Sequence, residues 1–158
     1  MWIRSDRVYV GGSFIPAAIQ IENEKITDVS YEKAESDVDY GNLRIVPGFI
    51  DIHTHGAYGF DTNSADPEGL KRWMKRLPEE GVTSFLPTTV TAHKEKLIKA
   101  LKNVAETGKE NNAGAEILGV HLEGPFIDEK YHGAQPLSAV QKPDIEVFKE
   151  YQNAAFDS

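Results

Sequence analysis

From residue 48 onward, apolar runs of strand length alternate with amphipathic stretches of helix length, and this alternation constrains the fold more than any other feature. Residues 49–55 (Phe-Ile-Asp-Ile-His-Thr-His) read as a strand ending at Gly56. Asp66 and Pro67 then stand as N-cap and first helical residue, because a short acid can accept from free N–H groups and proline's fixed φ suits a first turn. Leu70, Trp73, Met74 and Leu77 follow at helical spacing. Gly81 marks a turn, and residues 82–86 are β-branched and apolar enough for a buried strand. Thr91 is the expected cap of a second helix, with Leu97, Ile98, Leu101, Val104 and Ala105 on one stripe. Residues 116–123 read as a third strand, and Pro143 as the start of a further helix carrying Val147, Phe148 and Tyr151. The order β-α-β-α-β-loop-α calls for parallel strands joined by right-handed crossovers.

The first 47 residues have a different character. Apolar residues roughly alternate in Trp2–Val10, in 17–21 and in 25–29, with turns at Gly11-Gly12 and at Glu22-Asn23-Glu24. A meander of short antiparallel strands is the simplest product. Residues 31–42 are acidic and nearly devoid of large aliphatics, so an exposed connection is expected there.

Charge and composition exclude several functions. Seventeen basic and 25 acidic residues give a net charge of −8, the wrong sign for gripping nucleic-acid phosphates. Lys71, Arg72, Lys75 and Arg76 cluster, but on a helical stretch, where such a run is a solvated face. The chain has no cysteine, which removes disulfides, thiolate zinc sites and cysteine nucleophiles. Its first residues lack the basic and apolar regions of a signal peptide. No apolar run reaches the roughly 20 residues that span a bilayer. A soluble, cytoplasmic protein without a membrane or nucleic-acid partner is expected.

The chemistry concentrates at strand ends. Residues two apart on a strand share a face, so His53 and His55 project together, with Asp51 one step below. Two such imidazoles can hold one divalent ion or half of a pair. Glu123 ends the third strand, and Gly124-Pro125 behind it stops the ladder. In a β/α barrel, the C-terminal strand ends converge on one cavity. There, His53, His55 and Glu123 would meet as an open, catalytic type of metal site. His121 shares the face of Glu123, where packing or support of a ligand suits it better than ligation. His93 reads as a surface residue in the first turn of a helix. Thr88, Thr89 and Thr91 could line the site or act as caps, and His132 lies in a glycine-bearing loop with Gln135.

These blocks resemble the N-acetylglucosamine-6-phosphate deacetylases of the amidohydrolase superfamily. The matching segments are 47–56 (PGFIDIHTHG), 81–88 (GVTSFLPT), 118–126 (LGVHLEGPF) and 133–136 (GAQP). The first alone indicates only an amidohydrolase; the third and fourth together are far more specific to the sugar deacetylases. The resemblance implies an α/β architecture: a (β/α)₈ TIM-like barrel beginning at residue 48, preceded in 1–47 by part of a small β-sandwich. It implies hydrolysis of the acetamide of N-acetylglucosamine 6-phosphate to glucosamine 6-phosphate and acetate, a step of amino-sugar metabolism. By position, Glu123 corresponds to the principal metal ligand and His53 and His55 to ligands of a second metal. The cofactor implied is one or two divalent ions, zinc or iron. The backbone around Ala134 and Gln135 corresponds to a sugar contact. The full-length family protein is expected to be a homo-oligomer, a dimer.

The sequence also departs from the family pattern. Two further histidine ligands and an acid/base aspartate should follow Glu123, yet only His132 does, in a different context. A complete barrel takes about 250 residues, and only three barrel strands are countable here. The chain therefore reads as a fragment, inactive alone, with an open sheet edge and uncovered apolar faces. Two other readings are a cyclic-amide or isoaspartyl-dipeptide amidohydrolase, and a non-catalytic binding or assembly module. The first shares the His-x-His strand without the 118–136 pattern.

Overall fold

Alternating apolar residues near the N-terminus produce a hairpin. Strand β1 (Trp2–Val10) runs antiparallel to β2 (Ser13–Glu22), with Val10 opposite Ser13 across the Gly11-Gly12 turn. The computed structural model describes residues 1–32, 35–110 and 114–156. They form two compact units, Met1–Pro47 and Gly48–Ser158.

In the first unit β3 (Lys25–Ser30) adds to β2 antiparallel, while β4 (Val38–Asp39) and β5 (Arg44–Ile45) pair with β1 in parallel. Val8, Ala17 and Ile19 are the buried centre, flanked by Ile3, Val10, Ile21, Val29 and Ile45. The expected exposed connection over 31–42 is only partly that. Residues 33 and 34 lie outside the described residues, and β4 joins the sheet. The acids explain why: Asp37 accepts from the Trp2 N–H at 2.6 Å, and Asp39 pairs with Arg4 at 2.8 Å. The Ser5 hydroxyl, fully buried, faces the Gly41 and Leu43 carbonyls and fastens the return of the chain.

The second unit carries a parallel sheet in the order β6 (Phe49–Thr54), β7 (Val82–Pro87), β8 (Glu116–Ile117). Helix α1 (Pro67–Arg76) connects β6 to β7, α2 (Lys94–Lys109) connects β7 to β8, and α3 (Ile145–Phe156) follows. The apolar stripe of α1 drives its docking. Leu70, Trp73, Met74 and Leu77 are buried with Phe60, Phe85, Val104 and Ala115, and Trp73 meets the Phe85 ring edge-on at 4.8 Å. Leu97 and Leu101 of α2 form a second cluster with Tyr151 and Ala154 of α3. Phe49, Ile50 and Ile52 of β6 stay 60–64% exposed, so this edge strand presents uncovered apolar surface. Among the described residues no helix is long and apolar enough to cross a membrane.

Three boundaries differ from expectation. Helix α2 is capped by His93 rather than Thr91, which lies buried upstream with its N–H bonded to Gln135. Asp144 Oδ1 accepts from the Glu146 and Val147 N–H groups, so α3 begins at Ile145 and Pro143 stands ahead of it. The third strand is regular only over Glu116–Ile117. Beyond it Leu118 N–H donates to Phe85 and His121 N–H to Pro87, three residues against two. One extra residue is therefore accommodated, at Gly119, whose φ of +156° lies in a region that favours glycine.

Candidate metal centre

Strand β6 and the residue just past its end deliver two imidazoles, and the segment after β8 delivers one carboxylate, to the same point. His53 Nε2 and His55 Nε2 each lie 3.1 Å from Glu123 Oε2. One ligand atom from each of the three residues falls within 4.8 Å of the others, and the two imidazole rings meet edge to face.

The backbone around each donor is tied down. Thr54 and the fully buried Thr88 interlock across β6 and β7: Thr88 N–H donates to Thr54 O at 2.8 Å, and Thr54 N–H to Thr88 Oγ1 at 2.9 Å. The His55 carbonyl accepts from both the N–H and the hydroxyl of buried Thr62, at 2.8 and 2.9 Å. On the other side, Thr89 N–H donates to the His121 carbonyl at 3.0 Å.

Hydrogen bonding also sets the tautomer of His55. Its Nδ1 sits 3.2 Å from the Thr88 carbonyl, an oxygen that can only accept. Nδ1 therefore carries a proton, and Nε2 is the nitrogen that faces Glu123. Glu123 Oε2 is buried and, among the described residues, receives no hydrogen bond, although both imidazoles are at 3.1 Å. A buried carboxylate oxygen with two imidazole nitrogens converging on it is an arrangement that a cation among them would satisfy. Two imidazole nitrogens and a carboxylate oxygen are a donor set suited to zinc and other borderline divalent ions. The rings are 38–48% exposed at their side chains, leaving an open approach. The residues present fit a catalytic type of metal.

The sequence pattern of the amidohydrolase family matches residues 44–155. The chain belongs to the amidohydrolase family. Over 145 residues it is 41% identical to the N-acetylglucosamine-6-phosphate deacetylase of Bacillus subtilis (strain 168), covering 87% of this chain and 37% of that protein. It is 41% identical over 108 residues to the N-acetylglucosamine-6-phosphate deacetylase of Lysinibacillus sphaericus, covering 68% and 28%. Among solved structures it is similar to N-acetyl-D-glucosamine-6-phosphate deacetylase from Mycobacterium smegmatis, with TM-score 0.87 and 26% identity over 98% of this chain and 44% of that one. The Thermotoga maritima N-acetylglucosamine-6-phosphate deacetylase gives TM-score 0.79 and 29% identity, over 95% and 39%. The chain thus spans less than two-fifths of the length of these two curated relatives.

Within this amidohydrolase chain the remaining candidates separate clearly. His121 stays outside the ligand group; its ring packs edge-on against His53 at 4.5 Å, and its Nδ1 lies 2.9 Å from the Ile52 carbonyl. His93 is exposed at the head of α2. His132 also stays outside, with Nδ1 donating to the Gln135 carbonyl at 2.7 Å. Gln135, singled out in the sequence for its backbone, reaches the centre with its side chain: Nε2 donates to Glu123 Oε1 at 2.7 Å. Sequence reasoning missed Asn63 altogether. It is buried and exchanges two hydrogen bonds with the Val90 backbone, at 2.7 and 2.9 Å, bracing the loop after β7. An asparagine in a polar loop carries no signal of such a role.

Proposed function

We propose that this chain is part of an N-acetylglucosamine-6-phosphate deacetylase, a metal-dependent hydrolase that releases acetate from the sugar's acetamide. The observation that carries the reading is the convergence of His53 Nε2, His55 Nε2 and Glu123 Oε2 on one point. The 41% identity to two proteins of that name supports the choice of substrate over other amidohydrolase substrates. In this reading residues 48–158 are the first part of a (β/α)₈ barrel, and residues 1–47 belong to a small β-sandwich. The three parallel strands joined by helices and the separate five-stranded sheet support that assignment.

Glu123, His53 and His55 would hold zinc or iron, one ion or two. A bound ion of this kind lowers the pKa of its water toward ~7 and polarises the amide carbonyl. The residues of this chain prepare for it. The Thr88 carbonyl keeps His55 in the tautomer whose Nε2 is free to ligate, and Thr62 holds the His55 backbone. Glu123 acts as a ligand, so the proton delivered to the leaving amine comes from a different carboxylate in the whole protein. The backbone at Ala134 and Gln135 supplies a contact for the sugar.

The decisive experiment is acetate release from N-acetylglucosamine 6-phosphate by the full-length gene product with added zinc or iron. Turnover is expected, falling by about a hundredfold or more in Glu123→Gln. Absence of acetate release, with hydrolysis of a cyclic amide instead, would replace this reading with that of a ring-opening amidohydrolase.

A further inference from the structure

We propose that Gln135 is a positioning residue that decides which oxygen of Glu123 meets the metal. The inference rests on the metal-centre reading above and adds a role for a side chain outside the ligand group. A carboxylate has two oxygens and can rotate between them. A hydrogen bond that occupies one oxygen fixes the other as ligand. Gln135 Nε2 donates to Oε1 of Glu123 at 2.7 Å, and Oε2 is the oxygen that faces both imidazoles.

The amide cannot be the other way round. Gln135 Oε1 accepts from the Thr91 N–H at 2.7 Å, and a backbone N–H can only donate. With Oε1 committed to Thr91, the NH₂ group must face the carboxylate. The orientation thus follows from the neighbours and not from a choice of which amide atom is nitrogen.

The residue's own backbone is equally restrained. Its N–H donates to the His132 carbonyl at 3.0 Å, and its carbonyl accepts from His132 Nδ1 at 2.7 Å. The loop before α2 can come this close because residue 124 has no side chain. A Cβ on Gly124 would lie 1.9 Å from Thr91 Oγ1, and its φ of +71° already disfavours other residues. Thr91, Gln135 and Glu123 thereby form a continuous relay. The polypeptide after β7 aims the ligand carboxylate at the end of β6.

The test compares unaltered full-length protein with Gln135→Met, similar in length but unable to make either bond, and Gln135→Asn, too short to span them. Zn(II) affinity is measured by competition with a chromophoric chelator. Both variants are expected to bind about tenfold or more weakly, at temperatures below the metal-free melting point, which the unpaired Thr91 N–H lowers in both. The visible spectrum of the Co(II)-loaded protein reports ligand geometry and is expected to change in both. Should the variants fold poorly, the unaltered protein labelled with ¹⁵N-glutamine answers the same question. The Gln135 side-chain amide resonances are expected to shift on Zn(II) titration, and unmoved resonances overturn the proposal. Wild-type affinity and an unchanged Co(II) spectrum in Gln135→Met overturn it as well, leaving the metal centre intact. If the unaltered protein binds no Zn(II), the metal-centre reading itself falls, and this inference with it.

Discussion

His55 Nε2 lies 3.1 Å from Glu123 Oε2, and the proton on that imidazole is committed to the Thr88 carbonyl on its other side. A cation held between that nitrogen and the carboxylate oxygen should stabilise the fold. At a free Zn(II) concentration of 100 times Kd, the gain in unfolding free energy is expected to be about 2.7 kcal/mol. Thermal melts of the full-length protein with and without EDTA measure it. His53→Ala combined with His55→Ala should reduce the difference; a melting shift left unchanged by the double substitution places the metal elsewhere.

The interlock between Thr54 and Thr88 sets where both histidines stand. Thr88 Oγ1 accepts from the Thr54 N–H and donates to the Leu86 carbonyl at 3.1 Å, in a fully buried position. Thr88→Val keeps the shape but leaves that N–H without its acceptor. A loss of about 1–3 kcal/mol is expected, read as a lower midpoint in urea denaturation, together with weaker Zn(II) binding because the β6 terminus is released. Thr88→Ser, which keeps the hydroxyl, should recover most of both.

Much of this was legible beforehand, and for definite reasons. The period of Leu70, Trp73, Met74 and Leu77 identifies α1 because that stripe has one large neighbour to bury against, the Phe85 face of β7. His53 and His55 were readable as a pair from their spacing, and Glu123 from its place before Gly124-Pro125. The irregularities were not readable. The extra residue at Gly119 depends on how the partner strand's carbonyls are spaced, which no local pattern encodes. Thr91 looks like a cap in sequence, yet its N–H is bonded to a glutamine far along the chain, and the helix starts at His93 instead. For Gln135, the family resemblance directs attention to the backbone; only tertiary structure shows its amide on Glu123.

Close approach at Gly124 makes a further expectation concrete. Gly124→Ala would set a methyl group 1.9 Å from Thr91 Oγ1 and 3.1 Å from Thr91 Cα, on a backbone with φ of +71°. Both clash and conformation disfavour it, and a destabilisation of about 2 kcal/mol or more is expected. Because the displaced segment carries Glu123 on one side, Zn(II) affinity should fall as well. Equilibrium urea unfolding and metal titration of the same variant check the two consequences; wild-type values in both would mean the Thr91 loop yields freely.

Tyr151 connects the packing of α3 to pH. Its ring is buried between α2 and Phe126, and its hydroxyl finds no hydrogen-bond partner among the described residues. Desolvation raises the phenol's pKa above its ordinary value of 10.0, and the charges of Glu150 and Glu95 add to the effect. The sign of the linkage follows. Below pH 10 the phenol is neutral in both folded and unfolded chains, and its contribution to stability is fully present. As pH rises past 10 the unfolded chain ionises while the folded one resists, so stability falls until the folded pKa is passed. Tyr151→Phe removes both the ionisation and the unpaired hydroxyl. At pH 7 the variant is expected to be as stable as the parent or more so, by up to about 1 kcal/mol. Between pH 9 and 11 its stability should decline less steeply, which urea midpoints across that range will show. A parallel decline in both proteins would mean that the phenol reaches water in the folded state.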